Sequence, residues 1–124
     1  MNYDPGKDPA PSEWLALGES ERIALIEAWH RRKGIRIPWP TLHANIHAVV
    51  EDQIAGGEDV VIDAIARLRS EGLTRHEALH AVGSLVVEQV SGILKSPRSA
   101  SRTVNEVYLD RVRRLTAAEW LRSG

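Results

Sequence analysis

The sequence predicts an all-α fold, a compact bundle of four to six helices with short connections. Three observations predict it. No segment alternates apolar and polar residues with the period of two that a half-buried strand shows. Apolar residues instead recur three and four apart, the spacing of one helix face. Gly and Pro fall between these stripes and leave connections short enough to make consecutive helices neighbours.

The elements follow in order. Residues 1–11, with Pro5, Gly6, Pro9 and Pro11 and no apolar period, read as a flexible N-terminal tail, mobile or draped over the rest. Residues 12–124 form the single helical domain. A first helix runs from Ser12 or Ser20 to Lys33, with Ile23, Ile26, Trp29 and His30 along one edge and Gly34 as its stop. A second begins at Pro40, a residue favoured in the first turn, carries the stripe His43, Ile46, His47, Val50 and Ile54, and ends at Gly56-Gly57. A third covers residues 58–71, with Val61, Ile65 and Leu68 inward and Gly72 as its stop. Thr74-Arg75-His76-Glu77 has the form of a capping box and opens a fourth, whose expected stripe is His76, Leu79, His80, Gly83, Val87, Val90 and Leu94. Residues 96–101 read as a polar loop. A fifth helix spans residues 103–114 on Val104, Val107, Tyr108 and Val112, and Thr116-Ala117-Ala118-Glu119 caps a short last turn that holds Trp120.

Bulk properties narrow the function. At 124 residues the chain can bury a core without cross-links. Sixteen Lys and Arg balance 17 Asp and Glu, with no basic stripe, which argues against nucleic acid as a partner. The absence of cysteine excludes disulfides, cysteine-ligated zinc and iron–sulfur clusters, and fits a cytoplasmic protein. The stretch from Met1 to Pro9 has no apolar segment of a signal peptide, and no apolar run approaches a membrane span, so no membrane is expected as a partner. With no Phe, the core is built from Leu, Ile, Val and Ala, and the tryptophans at 14, 29, 39 and 120 supply most of the aromatic mass.

The chemistry is concentrated in histidine. His43/His47 and His76/His80 are two HxxxH pairs, and residues four apart stand one helical turn above each other on one face. Each pair lies early in its helix and on the core-facing stripe. At a rise of about 1.5 Å per residue the two pairs come to nearly the same height if their helices lie parallel and touch. Four imidazoles would then converge on one transition metal ion, zinc by default, with nickel, copper and iron sharing the preference for imidazole. Glu51, one turn beyond His47, offers a further ligand for the first pair, and Glu88 offers a carboxylate to orient His80. Leu42-His43-Ala44 … Val49-Val50-Glu51 is echoed 37 residues later by Leu79-His80-Ala81 … Val86-Val87-Glu88, which suggests a pseudo-repeated hairpin with Glu51 and Glu88 in equivalent places. His30, beside Arg31-Arg32-Lys33, reads instead as part of a solvated basic helix end. Trp39, between two prolines next to the proposed site, is placed to cover it.

Two alternatives compete with a metal-binding protein. His76-Glu77-Ala78-Leu79-His80 matches the HExxH pattern of zinc hydrolases, in which Glu77, or else Glu51, would be the general base for a metal-bound water. Glu77 has a structural explanation as well, as the third residue of the Thr74 capping box. The other alternative is a protein-interaction module, with packed, hydrogen-bonded histidines and a homodimer face. A related expectation is a bundle that responds to pH through clustered imidazoles.

The strings LHANIHAVVEDQ (Leu42–Gln53) and EGLTRHEALHAVG (Glu71–Gly83), followed by Tyr108-Leu109-Asp110-Arg111-Val112-Arg113-Arg114-Leu115, resemble motifs of a group of short bacterial helical proteins of unassigned function. The resemblance covers roughly residues 42–115 and implies a compact bacterial helical domain in which the histidines matter. It implies no reaction.

Overall fold

The computed structural model describes residues 1–95 and 102–123, and the expected polar loop at 96–101 lies outside the described residues. Seven helices follow in order: α1 (Pro11–Ala16), α2 (Glu19–Arg32), α3 (Pro40–Ala55), α4 (Asp59–Ser70), α5 (Arg75–Lys95), α6 (Arg102–Arg114) and α7 (Ala117–Ser123). There is no strand among the described residues. The chain is all-α, with five longer helices and two short ones, and the expected first helix is divided into α1 and α2.

That division has a local cause. The side chain of Arg22 donates to the carbonyls of Trp14, Leu15 and Leu17 at the end of α1. The carboxylate of Glu21 accepts from Gly18 N and starts α2. Arg22 also reaches Asp52, which accepts from Trp14 Nε1 at 2.8 Å, so both short segments are tied to α3.

The glycine stops behave as the sequence predicts. Gly34, Gly57 and Gly72 all have positive φ just past the ends of α2, α3 and α4. In each case the next N–H bonds back to a carbonyl of the last turn: Ile35 to His30, Glu58 to Gln53 and Leu73 to Leu68. This is the Schellman arrangement, which a residue without Cβ adopts at no steric cost. At the other end of the connection into α5 the capping box is complete. Thr74 N donates to Glu77 Oε1 at 2.9 Å, and Glu77 N donates to Thr74 Oγ1 at 3.1 Å.

The main apolar core gathers Val50 of α3, Val61, Ala64 and Leu68 of α4, Leu79, Val82 and Val86 of α5, and Tyr108 and Val112 of α6. A second cluster joins Tyr3, Trp14, Ile26, Ala44 and Ala48. Helix α3 packs against both α2 and α5 and separates the two clusters. The stretch read as a tail is draped, not loose: Tyr3 and Pro5 are buried, and Asp8 pairs with Arg75 at 2.8 Å.

The stripe expected along α5 holds only in its first half. Val87 is 51% exposed, Val90 45% and Leu94 75%, and the buried line runs through Ala78, Val82 and Val86. The reason lies in the helix lengths. Helix α5 has 21 residues and α3 has 16, so with the histidine pairs abreast, the end of α5 outruns the helix that would cover it. The echo across 37 residues therefore does not give equal environments: Glu51 is buried, whereas Glu88 is exposed and pairs with Arg111. On α6 Val107 is exposed, and the side chain of Val104 lies outside the described residues.

Candidate metal centre

The two HxxxH pairs meet where α3 packs against α5. Ring centroids are 5.9 Å apart within His43/His47 and 4.3 Å apart within His76/His80. Across the helices, His43 stands 4.9 Å from His80, His47 lies 5.3 Å from His76 with the rings stacked, and His47 lies 5.7 Å from His80. His30 joins them from α2, contrary to the expectation of a solvated helix end. It is buried, and its ring lies 4.9 Å from His43, 5.6 Å from His47 and 5.5 Å from His76. All five histidines of the chain thus form one cluster. Trp29 places its ring edge-on, 5.0 Å from both His30 and His76, and closes that side.

Hydrogen bonding fixes which nitrogens face inward on two of the rings. His30 Nδ1 lies 2.8 Å from the carbonyl of Ile26, which can only accept, so Nδ1 carries the proton and Nε2 presents its lone pair. At His47 the assignment passes through a relay. Arg75 grips Glu51 with two bonds, of 2.9 and 2.8 Å, and leaves it a carboxylate. Tyr3 gives its one proton to Glu51 Oε2 at 2.5 Å, so its oxygen accepts from His47 Nε2 at 3.0 Å. The lone pair of His47 is therefore on Nδ1. An outer hydrogen bond that sets the tautomer and aim of an imidazole is the usual companion of a metal-ligating histidine.

Each ring has one buried nitrogen without a hydrogen-bond partner: Nε2 of His30, His43, His76 and His80, and Nδ1 of His47. In His30 and His47 these are the lone-pair nitrogens just derived. One ligand nitrogen from each of His30, His47, His76 and His80 falls within 4.8 Å of the others. His43 flanks this quartet.

Electrostatics keep His43, His47, His76 and His80 uncharged at neutral pH. Burial, then the proximity of the other imidazoles, holds His47 down to about 2 and His76 and His80 to about 4. Burial and His30 lower His43 as well. Rings in this state can donate lone pairs at neutral pH, which coordination requires. Burial and the charge of Glu51 push the Tyr3 phenol up, so it stays a donor. Burial opposes the charge on Arg75, but its bonds to Glu51 outweigh that and raise it above the ordinary arginine value.

The carboxylates proposed as bases or ligands are engaged elsewhere. Glu51 is turned from the histidine row toward Arg75 and Tyr3. Glu88, expected to orient His80, is at the surface with Arg111. Glu77 is in the helix cap, whose hydrogen bonds with Thr74 lower its pKa.

Sequence reasoning missed His30, Tyr3 and Arg75. His30 had a signal, since it extends the Ile23, Ile26 edge of its helix, but the three cations after it pointed toward solvent. Arg75 had an indirect one: a carboxylate next to Val50 on a buried stripe demands a cation. Nothing in the sequence marks Tyr3. In comparisons with protein-family models, curated proteins and solved structures, the chain has no match.

Proposed function

We propose that the protein binds a first-row transition metal ion, zinc by default, through His30, His47, His76 and His80, with His43 as a fifth imidazole beside the shell. The observation that carries this reading is the set of five unpartnered, buried imidazole nitrogens. A buried polar group left unsatisfied costs about 1–3 kcal/mol. Five of them would cost about 5–15 kcal/mol, as much as the whole stability of an ordinary domain. One shared ion removes most of that penalty. The geometry supports it too. Taken as a regular tetrahedron with 4.8 Å edges, the nitrogens need to move inward by about 0.9 Å to reach zinc–nitrogen bonds of about 2.0–2.1 Å. An all-nitrogen shell also suits copper, nickel and iron, so the ion held in the cell depends on supply as well as on the site. The lack of cysteine supports a cytoplasmic setting for it.

The test is elemental analysis of protein purified without a histidine tag, followed by melting curves with and without chelator. Metal near one equivalent is expected, with a melting temperature that falls on chelation, since a ligand at a thousand times its Kd stabilises the fold by about 4 kcal/mol. His30→Ala, His47→Ala and His80→Ala should each abolish the chelator effect. Protein that takes up no metal even after incubation with zinc, and melts unchanged, would overturn the reading.

A second reading, a homodimerising module, is favoured by the exposed apolar line Val87, Val90 and Leu94 on α5. Sedimentation equilibrium decides it. The capped position of Glu77 lends the hydrolase reading no support.

A further inference from the structure

We propose that the cavity beside the histidine cluster binds a small amphipathic monoanion, a carboxylate with an apolar tail, whose head coordinates the bound ion. This inference rests on the metal-binding reading above and assigns that centre a ligand class.

The cavity lies between α3 and α5 and has a volume of about 330 Å³, within the range of small-molecule sites. The rings of His43, His47 and His80 form part of its wall. Leu42, Ile46, Leu79, Val87 and Trp120 provide apolar lining, and Trp39 contributes to it with 76% of its surface exposed. The remaining polar side chain, Ser84, donates its hydroxyl to Ala81 O in its own helix. Close helix packing shapes the wall at Gly83, where a Cβ would stand 3.1 Å from Ile46 Cγ2.

Charge selects the head of the ligand. An imidazole that gives its lone pair to a metal brings no charge of its own, so a divalent ion held by His30, His47, His76 and His80 leaves two positive charges in a poorly hydrated place. Glu51, the buried carboxylate nearby, is already neutralised by Arg75 at 2.8 Å. Asp4 and Glu77 act on His76 only through space and do not line the cavity. Among the described residues no charged side chain lines it. An uncompensated buried charge is costly, and a monoanion entering by the cavity relieves half of it. His43, which stands beside the four-imidazole shell and whose Nε2 is buried without a partner, is among the lining residues and is placed to bond the incoming head as it joins the ion as a further ligand. The apolar walls then select the tail, each buried methylene adding about fourfold in affinity.

The test uses protein loaded with cobalt(II), whose visible bands report the ligand set. Cobalt uptake is measured first, and its failure would overturn the metal-binding reading together with this one. Loaded protein is then titrated with acetate, butyrate, hexanoate and octanoate, and with octanamide as the neutral control. The expected result is a band shift with each carboxylate at affinities rising about two- to fourfold per methylene, with no shift from octanamide. Val87→Trp, which fills the cavity from a half-exposed position, should keep cobalt and flatten the chain-length dependence. Leu42→Trp is the second variant if the first does not fold. Bound cobalt whose bands no carboxylate moves, equal binding of acetate and octanoate, or octanoate binding equally well to metal-free protein would each overturn the proposal and leave the metal-binding reading standing.

Discussion

Replacing Tyr3 by phenylalanine removes one oxygen atom and leaves a ring that still packs 5.4 Å from Trp14. The oxygen makes two buried hydrogen bonds, to Glu51 Oε2 at 2.5 Å and from His47 Nε2 at 3.0 Å. The first is charge-assisted, and its loss is expected to cost the metal-free protein about 1.5–3 kcal/mol. For a domain of this length that lowers the melting temperature by about 6–12 °C. The second loss acts on the site. Without an acceptor at Nε2, the proton of His47 is no longer held on that nitrogen, and the Nδ1 lone pair becomes one of two tautomers. Loss of such an outer partner typically weakens metal binding about 10–100-fold. Urea denaturation of metal-free protein measures the first effect, and competition for zinc with a chromophoric chelator measures the second. Unchanged stability would refute the docking of Tyr3 onto Glu51. A stability loss with zinc affinity untouched would refute the relay that aims His47.

Other perturbations test the remaining parts. Arg75→Met strips Glu51 of its buried counter-charge and should cost about 3–5 kcal/mol by urea denaturation, and Arg75→Met/Glu51→Leu should recover much of that loss because the pair is coupled. Thr74→Ala should cost about 1 kcal/mol, whereas Glu77→Gln, which still accepts the Thr74 N–H, should leave the urea midpoint in place. The metal-free protein should lose stability as the pH falls from about 6.5 toward 4. Over that window the unfolded chain takes up protons at His76 and His80, which the fold holds neutral down to about 4, so stability is full above the window and is lost through it. A flat series of urea midpoints across that range would contradict the depressed values.

The architecture was legible because its signals are local. The Schellman glycines at 34, 57 and 72 and the Thr74–Glu77 box act within a single turn, and a reader of the sequence sees the whole cause. The meeting of His43 and His47 with His76 and His80 was legible by periodicity, since all four lie on apolar stripes, but the parallel sense expected for their helices was not borne out: His43 stands by His80, His47 by His76, and Glu51 by Arg75, the pairing of antiparallel helices. What escaped was settled between distant segments. Tyr3 reaches His47 and Glu51 across 44 and 48 positions, and Arg75 reaches Pro5 across 70. No periodicity encodes such pairings. The stripe of α5 was misread beyond Gly83 because periodicity shows which residues share a face but not how far the partner helix extends. His30 was misread because the charges beside it describe the helix terminus, while the ring itself turns back along the Ile26 edge.

The docking of the stretch from Tyr3 to Asp8 also orders events during synthesis. This stretch leaves the ribosome long before Glu51 and Arg75, the residues that give it a place. Until α5 has emerged and folded against α3, Tyr3 has no carboxylate to bond and His47 has nothing to set its tautomer. The centre is therefore assembled late, by a segment made early, and a half-made chain presents scattered histidines without the frame that aims them.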